Sequence, residues 1–314
     1  WGDGWLRREH YGLAAALLVQ IVLALAVFWP RTAGEAAGAP LLPDLTAEQI
    51  VEVAIRDERG ESLALMRQES GWVLADTDGF PAKEATVQTL LDQIVALRTD
   101  RLVTRTKASH GPLQVAADAF VREISLRTAE GASYTLYLGS SPSYGATHFR
   151  LAGQDETYLT GGLTSWAASA APASWVDTAY LSVPQTDVQR LTVSNALGEY
   201  TLVRDAEGQW TLEGLAEGEV MEAAAAASLA ARATALNLLR PLGRVEQPDY
   251  GLAAPQATVT LETATETLTL RVGSHGVDGS YIVKSSASDY YVRVSEYAVK
   301  DLVEKGREAL LKGE

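Results

Sequence analysis

The chain has 314 residues, 47% of them hydrophobic and 21% charged, a globular balance long enough for two domains and an appendage. It contains no cysteine, which excludes disulfides, thiolate metal sites and cysteine nucleophiles together. A formal charge of −14 repels phosphate backbones and argues against nucleic acid as a partner.

Residues 1–10 carry Arg7 and Arg8 and lead into an uncharged run, 11–29 (YGLAAALLVQIVLALAVFW). As a helix rising about 1.5 Å per residue, this run spans roughly 28 Å, the hydrocarbon thickness of a bilayer. Leu17, Leu18, Ile21 and Leu25 form the body of this predicted transmembrane helix, and Gln20 is its one strongly polar side chain. Tyr11, Phe28 and Trp29 stand at its ends, where aromatic rings meet headgroups. A signal peptide has the same polarity but a shorter core of about 7–15 residues, so a retained single-pass anchor is expected. Arg7 and Arg8 on one side, against Arg31 and no further base until Arg56 on the other, place the N-terminus in the cytoplasm and the rest outside. Ala14, Ala15 and Ala24 give the anchor a small-residue face on which another membrane helix can pack closely. The chain opens on Trp1 rather than Met, so further sequence ahead of it is expected. Residues 30–45, rich in Ala, Gly and Pro, read as a tether.

The remainder repeats itself: 46–171 and 188–314 align, with 172–187 as the linker. Gly60 falls on Gly198 and Trp72 on Trp210, both at a spacing of 138. Val53 and Ile55 fall on Leu191 and Val193. Alternating apolar and polar residues with glycine turns predict a three-stranded meander in each copy, ending at the tryptophan. A helix follows in each: from Pro81, with Val87, Leu90, Leu91, Ile94 and Leu97 on one face, and from Glu219 to about Leu239. Further strands end at Gly139 and Gly273. A closing helix is expected at SEYAVKDLVEKGREALLK, with a weaker counterpart near GGLTSWAASA. The fold class is therefore α+β: a single N-terminal transmembrane helix, then two tandem repeats of antiparallel meander and covering helices, each βββ–α–ββββ–α.

Catalytic chemistry is sparse. His10, His110, His148 and His275 lack metal-like spacing and read as solvated loop residues, though His148 and His275 fall in roughly equivalent loops. Asp76-Thr77-Asp78-Gly79 opens like a calcium loop but lacks the later acids, so a turn and helix N-cap is expected. Ser140, Ser141 and Ser143 sit in a hairpin loop without a local base. Neither a nucleophile elbow, a phosphate loop nor an H-E-x-x-H helix occurs. No catalytic residue, metal or cofactor is expected. Arg98, Arg101, Arg105 and Lys107 form a small basic stretch, read as a solvated helix end or as a contact for an acidic partner or lipid headgroups. Trp72 and Trp210 are expected in the core. Trp166 and Trp175, flanking an uncharged Ala/Ser stretch, suit either core packing or a partner contact.

The second copy carries Tyr250-Gly251-Leu252 with Pro255, strands ending at Gly273 and opening at Tyr281, and Tyr290-Tyr291-Val292. Over residues 46–314 this resembles the bacterial domain-of-unknown-function family 4340; the first copy departs from it, with Gly111-Pro112-Leu113 in place of Tyr250-Gly251-Leu252. The resemblance brings no catalytic residues. It implies a non-catalytic accessory or scaffold subunit at the bacterial cytoplasmic membrane, partnered with integral membrane proteins such as an ABC-type transporter. The alternative is a glycan- or lipid-binding module presenting a ligand to a transporter, with a pocket between the copies.

Overall fold

The computed structural model describes residues 38–312, together with Gln20, which is helical. The predicted anchor, including Tyr11, Ala14, Ala15, Ala24 and Trp29, otherwise lies outside the described residues. Among those described, no helix is long and apolar enough to cross a membrane.

The protein is mixed α+β, built on two nine-stranded antiparallel sheets. The first meander is β1 (Ile50–Asp57), β2 (Ser62–Gln68) and β3 (Gly71–Leu74). Val53 lies opposite Leu65 and Ile55 opposite Leu63, so the alternation in the sequence becomes one apolar face. Then come β4 (Phe80–Pro81), α1 (Glu84–Val95), β5 (Leu102–Thr104) and a small hairpin, β6 (Val115–Ala116) and β7 (Ala119–Phe120). β8 (Arg122–Thr128), β9 (Ser133–Leu138), β10 (Thr147–Leu151) and β11 (Thr157–Thr160) complete the first sheet, in the order β4-β3-β2-β1-β8-β9-β10-β11-β5.

The second sheet contains β12 (Ala179–Ser182), β13 (Val188–Asn195), β14 (Gly198–Arg204), β15 (Trp210–Leu212) and, after α2 (Ala223–Thr234), β16 (Ala235–Gly243). It ends with β17 (Ala257–Thr263), β18 (Thr267–His275), β19 (Ser280–Ser285), β20 (Tyr291–Ser295) and α3 (Glu296–Glu304). Its order, β15-β14-β13-β17-β18-β19-β20-β16-β12, follows the first sheet's connections strand for strand from β3 to β5. Each sheet adds one further strand, at opposite ends of that series: β4 beside β3, and β12 beside β16.

Equivalent positions perform equivalent tasks. Trp72 and Trp210 are both buried, 2% and 7% exposed, each beneath an arginine: Arg67 at 5.9 Å and Arg204 at 4.3 Å from the ring. Arg67 also donates to the Glu48 carbonyl and Arg204 to that of Gln185, so each ties its meander to the turn that precedes it. A Cβ on Gly139 would strike the Leu113 carbonyl, and one on Gly273 the Tyr250 carbonyl. The aligned glycines are thus places where another backbone passes close to an interior strand of each sheet.

Three expectations about elements are corrected. The second helix stops at Thr234, whose hydroxyl donates back to the Ala230 carbonyl at 2.8 Å. Beyond it Leu236 and Leu238 are buried alternately with exposed neighbours and Pro241 bars a helix, so ALNLLRPLG is a strand. Pro81 lies in β4, not at a helix start; the helix begins at Glu84. The segment GGLTSWAASA has no helix, because its carbonyls serve side chains: Arg122 Nε donates to Ala168 O at 2.9 Å and Trp175 Nε1 to Ser169 O at 2.8 Å.

Both sheets share one hydrophobic core, running from Leu41 through Trp72, Ile94, Phe149 and Trp175 to Val193, Ala230, Val292 and Leu310. α1 contributes Val87, Leu90, Leu91 and Ile94, as its periodicity predicts. A satellite cluster of Tyr250, Leu252, Ile282 and Tyr291 contains three of the residues that carry the family resemblance, Tyr250, Leu252 and Tyr291.

Candidate functional site

The best-defined polar constellation lies where the sheets meet. The turn after β3 passes through a 3₁₀ segment, Ala75–Thr77, into Asp78, whose φ of 52° is left-handed. This conformation carries its carboxylate across the seam, where Oδ2 accepts the Arg244 backbone N–H at 2.7 Å. Gly243, with φ of 104°, leaves room for that carboxylate, which a Cβ would strike. The Asp76–Gly79 turn is therefore a seam clasp; the N-cap position of α1 is held by Lys83 instead.

Tyr290 closes the seam from the second sheet. Its hydroxyl donates to Gly79 O at 2.9 Å and accepts from Arg244 Nη2 at 2.6 Å. Its ring meets Phe80 edge-on at 4.7 Å. The tyrosine hydroxyl beside it holds the Arg244 guanidinium further into its charged range. A cleft of about 490 Å³ opens here, lined by Gln68, Trp72, Glu84, Arg244 and Tyr290 among others. Glu84 is engaged there, accepting the Trp72 backbone N–H at 3.2 Å. The cleft offers one guanidinium, two carboxylates and aromatic walls, a set suited to holding a polar group. It contains neither histidine nor serine-base pair for covalent chemistry.

The histidines divide differently from expectation. His110 and His148 are buried, 5% and 7% exposed, because each has a backbone partner: His110 Nε2 and Asp155 O at 2.9 Å, His148 Nδ1 and Ser140 O at 2.8 Å. His148 lies within β10, whereas His275 ends β18, the counterpart of β9, so the two are not equivalent. His275 is solvent-facing, with Nε2 3.8 Å from Glu296. Ser140 Oγ touches His148 Nδ1 at 3.1 Å but donates to Leu113 O, and among the described residues no carboxylate completes a triad. Among the described residues no group of three or more His, Asp or Glu is placed to hold a metal ion.

The two flanking tryptophans part company. Trp175 is 1% exposed, in the shared core, and its carbonyl accepts Lys83 N at 2.6 Å, so it is withdrawn from any partner surface. Trp166 is 87% exposed. Tyr144, on the β9–β10 loop, is fully exposed as well, and the Gly145 carbonyl next to it lies beside Gly161, five residues before Trp166. Tyr144 and the seam residues Asp78, Arg244 and Tyr290 were not singled out as site residues by the sequence. The signal available was indirect: a glycine, Gly243, placed where a helix had been expected to have just ended.

Among the described residues, two antiparallel sheets on a common core meet at a polar cleft. The chain belongs to the family described as domain of unknown function DUF4340, whose model matches residues 72–247. That match crosses the seam, containing Asp78 and Arg244 but ending before the Tyr250–Val292 residues in which the resemblance was first legible. No curated protein and no solved structure matches the chain.

Proposed function

We propose that this protein is a non-catalytic accessory or scaffold subunit of a bacterial membrane complex. In this reading residues 11–29 are a single transmembrane helix with its N-terminus in the cytoplasm, and 46–171 and 188–314 are two tandem copies of one module outside it. Integral membrane proteins, such as an ABC-type transporter, are its partners. The observation that carries the reading is the exposure of two large aromatics, Tyr144 and Trp166, on loops of a body whose two sheets share one core. Exposed large aromatics on a well-packed support are the usual anchors of protein interfaces. Purification from native membranes in mild detergent tests it. An integral membrane protein should co-purify in fixed ratio and be lost on Tyr144→Ser with Trp166→Ser, while the variant's circular dichroism is unchanged. A chain that runs alone and monomeric refutes it.

The seam cleft supports a second reading, a module that holds a glycan or lipid headgroup for a transporter. Arg244, Glu84 and Gln68 converge there beside Trp72 and Tyr290, a combination of polar groups and aromatic walls common in ligand sites.

A further inference from the structure

The basic stretch 98–107 is not a helix end. α1 stops at Val95, and Leu102–Thr104 form β5, the outermost strand of the first sheet. Four bases, Arg98, Arg101, Arg105 and Lys107, stand against one acid, Asp100, in these ten residues of a chain whose net charge is −14. All four bases are exposed, and none forms an ion pair among the described residues. Between them Leu102 and Val103 are exposed by 36% and 44%. Several arginines elsewhere are paired, Arg56 with Glu123, Arg190 with Glu213 and Arg307 with Glu219, while Arg59 and Arg240, without an ion pair among the described residues, stand singly in the sequence. What sets 98–107 apart is the clustering: four bases without an ion pair among the described residues, with two exposed apolar residues between them.

Its position gives it a neighbour. The first described residues run alongside it: Leu41 N donates to Leu97 O at 2.8 Å, Thr99 N to Ala39 O at 3.0 Å, Pro40 bridges to Arg98, and Gly38 packs against Asp100. Trp29, the last residue of the uncharged run, is nine residues before Gly38, a reach of roughly 30 Å at full extension. We propose that the strip Arg98–Lys107 rests on the anionic phosphate headgroups of the membrane, with Leu102 and Val103 dipping into the interface, and so fixes the orientation of an otherwise acidic body. The proposal rests on the anchored reading above. Bases at an anionic surface are attracted to it, whereas the body's net negative charge is repelled, so the strip selects which side faces the bilayer. An acidic polypeptide adding a strand to β5 is disfavoured, because a three-residue edge guarded by bases is the device by which sheets avoid such pairing.

The absence of cysteine makes the test direct. Val103→Cys, or Val277→Cys on the exposed β18–β19 turn as control, gives the 314-residue chain one thiol for an environment-sensitive dye. The labelled chain is placed in nanodiscs of phosphatidylcholine with or without phosphatidylglycerol, with spin-labelled lipid as quencher. The expected result is quenching at 103 and not at 277, dependent on phosphatidylglycerol, and abolished by the combined change Arg101→Glu, Arg105→Glu and Lys107→Glu. Each base is worth roughly fivefold in partitioning, so losing the three costs on the order of a hundredfold. Equal quenching at both positions overturns the proposal, as does quenching indifferent to charge reversal; silence at 103 overturns it in favour of a protein occupant. Alkaline extraction separates this from the anchor. If the chain is extracted, the anchored reading fails, and flotation with phosphatidylglycerol vesicles then decides the strip alone: flotation lost on charge reversal supports it, and no flotation overturns it.

Discussion

Trp166 and Trp175 stand nine residues apart and have opposite fates, which makes them a sharp test. Trp175 is 1% exposed, and its indole N–H donates to the Ser169 carbonyl at 2.8 Å. A fully buried tryptophan hides roughly 200 Å² of surface, about 5 kcal/mol at about 25 cal/mol per Å². Truncation leaves a cavity and an unpartnered carbonyl, and measured losses for such changes run about 3–5 kcal/mol. Trp175→Ala should therefore cost about 4 kcal/mol, a large share of a typical stability of about 5–15 kcal/mol. Trp166→Ala, at 87% exposure, should stay within about 0.5 kcal/mol of the parent protein. Urea unfolding followed by far-ultraviolet circular dichroism measures both without relying on tryptophan emission. Because Trp175 lies in the core common to both sheets, its loss should shift the unfolding of the whole chain. A Trp175→Ala variant within about 1 kcal/mol of the parent, or one in which a single half unfolds early, refutes the reasoning.

Two further outcomes follow from the packing and the charges. Gly139→Ala and Gly273→Ala should each lower stability by about 2 kcal/mol or more in urea titrations, since both Cβ atoms meet a backbone carbonyl, whereas Gly111→Ala, with open space around it, should be neutral. Glu219 is held down at about 2 by hydrogen bonds, first from Arg307 and then from the Ala216 backbone, so the ionised form supports the fold. A carboxylate with a lowered folded pKa contributes fully above its ordinary value near 4.5 and loses that contribution as pH falls toward 2. The melting temperature of the parent should accordingly exceed that of Glu219→Gln at pH 7, with the gap closing between pH 4.5 and 2; a gap that persists at pH 2 contradicts the assignment.

The meanders were legible because their alternation and their glycine turns are local: Val53, Ile55, Leu191 and Val193 are fully buried as their pattern demands. Trp72 and Trp210 end them as expected. The alanine-rich helix was over-extended because alanine favours helix without marking a face, so only the burial of Leu236 and Leu238 reveals the change of period. The edge strands β4, β5 and β12 have two to four residues each, too few to show any period. The seam was invisible for a different reason. Asp78, Arg244 and Tyr290 meet across separations of 166, 46 and 211 residues, counted along the three bonds that join this clasp, and no local pattern encodes such a meeting. Likewise His110 and His148 look solvated beside glycine and threonine, yet each is buried against a carbonyl, that of Asp155, 45 residues away, for His110 and that of Ser140, across the β9–β10 turn, for His148.

The clasp between Asp78 and Arg244 has a mechanical consequence. A linker between repeats ordinarily acts as a joint, yet here Trp175, next to the Pro172–Ser174 turn, is locked into the core and hydrogen-bonded to the start of α1. With that segment packed, the expected response to load is that of a lever rather than a hinge. A displacement applied beside Gly38 would reach the far side of the second sheet as a rotation of the entire body, undamped by bending in between.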